Sequence, residues 1–120
     1  MDFIDPHTPL PADTLALDNT VDVLALAEGW APGRPVQLCF PKWTDGRAYS
    51  QAVLLRSRLR HTGPLIATGD VLVDMLPLLQ RCGFSAVQLR ADQSLAAAQR
   101  ALGFFPAHYQ TVPPERSAAA

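Results

Sequence analysis

Val36-Gln37-Leu38-Cys39-Phe40-Pro41-Lys42-Trp43-Thr44-Asp45-Gly46-Arg47-Ala48-Tyr49-Ser50 is the stretch on which the fold turns. Its first five residues are mostly apolar and stop at a proline, the pattern of a short, largely buried strand. The loop that follows carries two cations, an acid, two aromatics and a turn glycine. Ser50 then offers a hydroxyl to cap a helix running to about Arg60, with Tyr49 and Leu54 at the spacing of a hydrophobic staple. Ala52, Leu55 and Leu59 line one face of that helix, and Arg56 and Arg60 another. Strand, polar loop and helix in this order make one βα unit.

The same pattern repeats on both sides. Downstream, Gly63-Pro64 stops the helix and Leu65-Ile66-Ala67-Thr68 reads as a strand. Gly69-Asp70 turns into a helix with Val71, Leu72, Met75, Leu76 and Leu79 on its apolar face. Pro77 lies within it and removes a backbone bond, so a kink or a restart near Asp74 is expected. After Cys82-Gly83-Phe84 come the strand Ala86-Val87-Gln88-Leu89 and an alanine-rich helix, capped by Asp92 or Ser94 and ended by Gly103. His108-Tyr109-Gln110 suits a small edge strand. Upstream, Thr14-Leu15-Ala16-Leu17 is a further strand, and Asn19 or Thr20 caps a helix built on Val21, Leu24 and Ala25. Gly29 and Pro32-Gly33 end it.

Four consecutive βα units imply an α/β fold with a parallel sheet and right-handed crossovers. Spacing alone leaves open a flavodoxin-like layer or half of a βα barrel. The 120 residues suit a single domain over residues 12–111, with a flexible, proline-rich N-terminal arm (1–11) and a flexible C-terminal tail (112–120).

Composition narrows the functions. A net charge of −1 gives no global pull toward nucleic acid or anionic lipid. Met1-Asp2 does not open a signal peptide and no apolar run is long enough to span a bilayer, so a cytoplasmic protein with no membrane partner is expected. Cys39 and Cys82 read as reduced, packed thiols, and His7, His61 and His108 are too scattered to suggest a metal site. There is neither a phosphate loop nor a dinucleotide fingerprint, so no cofactor is expected.

In a parallel sheet, the loops leaving strand carboxyl ends form the binding face. Residues 18–20, 41–50, 68–70 and 90–94 meet there. Lys42, Trp43, Asp45, Arg47, Tyr49, Ser50, Gly69 and Asp70 are the candidate anion- or partner-binding residues, with Arg90 close by. Lys42 and Arg47 could flank a phosphate, sulfate or carboxylate at the amino end of the Ser50 helix. The plainer reading, favoured here, makes Asp45-Gly46 a turn and pairs Arg47 with Asp45 or Asp70. Asp70 with Tyr49 could move a proton, but helix capping by Asp70 is the better reading. Trp43 suits a ligand platform or an interface anchor; Trp30 suits a lid on the core.

Phe40-Pro41-Lys42-Trp43-Thr44-Asp45-Gly46-Arg47-Ala48-Tyr49-Ser50-Gln51-Ala52 also carries a resemblance, which continues through Leu55-Arg56, Gly63, Gly69-Asp70-Val71-Leu72, Asp74 and Arg81-Cys82-Gly83-Phe84. The chain resembles the bacterial domain of unknown function 934 family over about half its length. Members of that family are typically encoded beside assimilatory sulfite reductase and are sometimes labelled oxidoreductases. The resemblance implies an accessory protein of sulfate or sulfite assimilation that docks on sulfite reductase, or on another sulfur-assimilation enzyme, through the loop face. The alternative is a small anion-binding enzyme or sensor acting on sulfite, sulfate or a phosphorylated metabolite. A homodimer could cover exposed sheet edges.

Overall fold

The computed structural model describes residues 1–103; the strand expected at His108 and the tail from residue 112 lie outside them. Its strands are β1 (Asp2–Phe3), β2 (Leu15–Leu17), β3 (Val36–Phe40), β4 (Leu65–Gly69) and β5 (Ala86–Val87). They form one five-stranded sheet in the order β1-β5-β4-β3-β2, parallel at every junction. Helices α1 (Arg47–Ser57), α2 (Leu76–Cys82) and α3 (Leu95–Ala101) alternate with the strands. The protein is therefore an α/β layer with a parallel sheet, consistent with the flavodoxin-like alternative. The four expected units occupy β2 to β5 side by side, and β1 adds a strand that two residues were too few to announce.

The pleat decides what is buried. Leu17, Leu38, Ala67 and Val87 share one register row, and Val36 faces Leu65 on the same side. These residues join Ala52, Leu55, Leu76 and Leu79 of the helices in one apolar cluster. The opposite pleat carries Ala16, Gln37, Ile66 and Ala86. Over that face runs the segment joining β1 to β2, bonded through Gln88 Nε2 to the carbonyls of Asp5 and Thr8. Gln37 donates to Thr68 Oγ1 at 2.9 Å beneath it.

The helices depart from expectation for local reasons. Instead of an α-helix after β2 there is a single 3-10 turn, Val23–Leu26, capped by Asp22 rather than by Asn19 or Thr20. Asp18 first closes its own turn on the Thr20 amide and hydroxyl, and Gly29 stops the chain at φ 75°, leaving room for one turn only. Helix α1 begins at Arg47, with Gly46 as N-cap, so Ser50 lies inside the helix instead of capping it. The Asp45 carboxylate accepts the Arg47 amide at 3.1 Å, which starts the helix earlier. The expected restart at Pro77 occurs: a 3-10 turn over Val73–Met75 gives way to α2, and Pro77 stands in its first turn, where no amide is needed.

At the end of the sheet where strands begin, Arg56 gathers four bonds. Its guanidinium donates twice to the Gly83 carbonyl (2.9 and 2.8 Å) and once each to those of His61 (3.0 Å) and Gly63 (2.8 Å). Gly83 ends α2 at φ 109°, and a Cβ there would stand 2.6 Å from Arg56 Cγ. The arginine therefore locks α1, α2 and the approach to β4 together. Beside it His61 is buried, accepting the Trp30 indole N–H at Nδ1 over 3.1 Å, so Trp30 does act as a lid. Burial, then the nearby Arg56 charge, pushes the His61 imidazole below its ordinary value.

Two outcomes are expected. Arg56→Ala leaves three backbone carbonyls unpaired and should lower the unfolding free energy by about 2–4 kcal/mol. The shift in the urea midpoint measures this; a loss under about 0.5 kcal/mol would contradict the clamp. His61 binds its proton more weakly folded than unfolded, so its contribution is complete above about pH 6.5 and is lost as pH falls below that value. Urea midpoints at pH 7.5 and 5.5 should diverge in the wild type by more than in His61→Gln.

Candidate functional site

Parallel order puts the loops after β2, β3, β4 and β5 at one end, as the fold requires. Two carboxylates organise them. Asp45 binds Arg47 through both oxygens, Nε to Oδ1 at 3.1 Å and NH2 to Oδ2 at 2.8 Å. It also accepts Asn19 Nδ2 at 2.8 Å, and Asn19 is buried. Gln51 of α1 is buried as well and donates to the carbonyls of Asp18 (2.8 Å) and Val21 (3.1 Å). The β2 loop, the β3 loop and α1 are thereby one unit. The hydrogen bonds from Arg47 hold the Asp45 carboxyl far below its ordinary value.

Asp70 is the second organiser. Its Oδ2 accepts the Trp43 amide at 2.8 Å, and its Oδ1 accepts Arg90 NH1 at 2.7 Å. Arg90 grips Asp92 as well, through Nε and NH2 at 2.7 and 2.8 Å. The Arg90 bonds lower both carboxyls, Asp92 to about 2. Asp70 is placed by Gly69, which has φ 96° and passes so near β3 that a Cβ would lie 2.5 Å from the Phe40 carbonyl oxygen. The Asp70 amide donates to that same oxygen at 2.7 Å. Glycine at position 69 is a steric requirement, and Asp70 carries its charge to the β3 loop as a result.

The remaining candidates scatter. Lys42 is exposed, and its carbonyl accepts the Asp45 amide at 2.9 Å. Trp43 is 55% exposed although its amide is fixed. Tyr49 packs edge-on against Phe40, centroids 5.0 Å apart, at the margin of the core. Burial, then the neighbouring Cys82, raises its hydroxyl pKa, and burial raises the Cys82 thiol too. Ser50 is exposed on α1. The favoured pairing of Arg47 with Asp45 is present, whereas Asp70 contacts Trp43 and Arg90 and not Tyr49. An open depression of about 460 Å³ lies on the sheet face away from the helices, lined by residues 6–10 with Gln37 and Gln88, and none of the candidates borders it.

Asn19 and Gln51 were missing from the sequence-derived site. Their only signal was an amide side chain next to apolar residues. The chemistry available is that of a cross-braced surface: ionised carboxylates with lowered pKa are weak proton acceptors at neutral pH but firm anchors for guanidinium and amide groups.

Among the described residues no group of His, Cys, Asp and Glu is arranged to hold a metal ion, and no helix is long and apolar enough to cross a membrane. In comparison with known proteins, the sequence model of the family described as "Bacterial protein of unknown function (DUF934)" matches residues 14–119. No curated protein and no solved structure matches.

Asp70→Ala should release the Trp43 amide and Arg90 together. Hydrogen exchange of the amides of residues 42–46 is expected to accelerate at least tenfold, while those of β3 stay protected. Unchanged exchange in the loop would show that Asp70 does not hold it.

Proposed function

The chain belongs to the DUF934 family, and we propose that it is an accessory protein of sulfate or sulfite assimilation that docks on sulfite reductase through the loop face. The observation that supports docking is Trp43. Its indole stands out in solvent while its backbone is tied to a carboxylate three loops share, so an aromatic anchor is presented on a braced support. Arg47 and Arg90 flank the loops with guanidiniums already ordered by carboxylates. Tryptophan and arginine dominate the energetic centres of interfaces, and order before binding reduces its entropic cost. The partner is the one the family resemblance implies, and a cytoplasmic location belongs to the same proposal.

The anion-binding enzyme or sensor draws less support. Of the two cations that would flank an anion, Arg47 is occupied by the Asp45 carboxylate, and the tyrosine packs against the core.

Trp43→Ala should weaken association with assimilatory sulfite reductase by at least tenfold, about 1.4 kcal/mol or more, without changing the melting temperature. Sedimentation of the purified pair would measure it. Wild-type proteins that do not associate at micromolar concentration would overturn the docking reading. Sulfite binding abolished by Arg47→Ala in equilibrium dialysis would favour the anion reading instead.

A further inference from the structure

Charge is sorted along the strand direction. The loop end carries Asp18, Asp22, Asp45, Asp70, Asp74 and Asp92 against Lys42, Arg47 and Arg90. The other end, where strands begin and helices stop, has the reverse sign. Residues 53–69 contain no Asp or Glu, and neither do residues 75–91. These two segments bring Arg58, Arg60 and Arg81 to that end, all exposed and none in an ion pair among the described residues. The two segments are tied together there, because Arg56 of α1 bonds the Gly83 carbonyl just past Arg81. Arg34 borders them: the Thr62 and Gly63 amides donate to the Pro32 carbonyl at 2.8 and 2.9 Å. Its Nε is bonded to the Asp13 backbone carbonyl, which is neutral.

Arginines at helix carboxyl ends often do no more than offset the helix dipole. Here the offset is exceeded. The ends of α1 and α2 carry about half a negative charge each. Three exposed guanidiniums and the half-buried Arg56 stand against them. Arg60 adds an independent sign. It sits at φ 56°, and the His61 amide reaches back to the Leu55 carbonyl at 2.9 Å, closing the helix by a turn that favours glycine at position 60. Folding alone would select a glycine there; the chain has an arginine.

We propose that this arginine end is a docking patch for a carboxylate-rich protein segment, gripped by Arg58, Arg60 and Arg81 with Arg34 at its border. Planar guanidinium forks pair with carboxylates through two parallel bonds. Asp2, which opens edge strand β1, and Asp13, just before edge strand β2, stand at the same end of the sheet. They limit it to a short acidic segment, whereas a long nucleic acid or a membrane surface would meet them. The patch lies opposite the loop face and does not depend on it.

The test is fluorescence anisotropy of a fluorescein-labelled oligoglutamate peptide with the full chain. Binding that weakens as salt rises is expected. The Arg58→Gln/Arg81→Gln double variant should bind about tenfold more weakly. Arg60→Gly should also bind more weakly while its melting temperature is unchanged or raised, a combination a purely structural arginine cannot produce. Trp43→Ala should bind the peptide like wild type, which separates this patch from the loop face. The proposal is overturned if the wild type does not bind, if the arginine variants bind equally well, or if Trp43→Ala abolishes binding. Tighter binding to duplex DNA or phosphatidylserine vesicles would overturn it too.

Discussion

The pairing of β3 with β4 is the constraint from which the rest follows. It is the longest ladder in the sheet, running in register from Val36 opposite Leu65 to Phe40 opposite Gly69. Its helix-facing residues Val36, Leu38, Phe40, Leu65 and Ala67 are fully buried. Burying an aliphatic or phenyl side chain of this kind contributes about 1.5–3 kcal/mol. The register also has a chemical product. Because Gly69 ends against the Phe40 carbonyl, Asp70 emerges beside the β3 loop and not elsewhere. One steric fit in the ladder thus decides where the charge that fixes Trp43 can stand.

The two ends of the sheet use the same device with opposite charges. At one end, carboxylates collect amides and guanidiniums from neighbouring units; at the other, the Arg56 guanidinium collects carbonyls. Such links matter because the helices are small. Helices α2 and α3 have seven residues each, well below the length at which a helix persists alone in water. Packing on the sheet and these polar ties hold them in place. The ties of Asp70 to Trp43 and Arg90, and of Arg56 to Gly83, join segments 20 or more residues apart, so a unit that loosens must break bonds to its neighbour.

The architecture was legible because the signals that carry it are local. Apolar runs such as Leu65-Ile66-Ala67 and the stop at Gly83 show strands and a helix end directly. The position of the loop end followed from parallel order alone. What the residues could not show was competition between polar groups. Ser50 is a good cap in isolation, but the Asp45 carboxylate reaches the Arg47 amide first. Arg56 reads as a solvent-facing helix residue until the fold sets the Gly83 carbonyl beside it. Asn19 and Gln51 gain their roles only when β2 and α1 are neighbours. The family resemblance pointed to Gly69-Asp70 and Arg81-Cys82-Gly83, and geometry now supplies physical reasons for both glycines.

The β1 pairing has a consequence for biosynthesis. Strands β2 to β5 can be laid down one beside the next as the chain lengthens, each against a neighbour already made. Strand β1 is made first yet pairs with β5, Asp2 opposite Ala86 and Phe3 opposite Val87. Closing so long a loop is slow compared with local pairing. On the ribosome, β1 must therefore wait for β5, and its docking becomes the step that completes the sheet of the described residues.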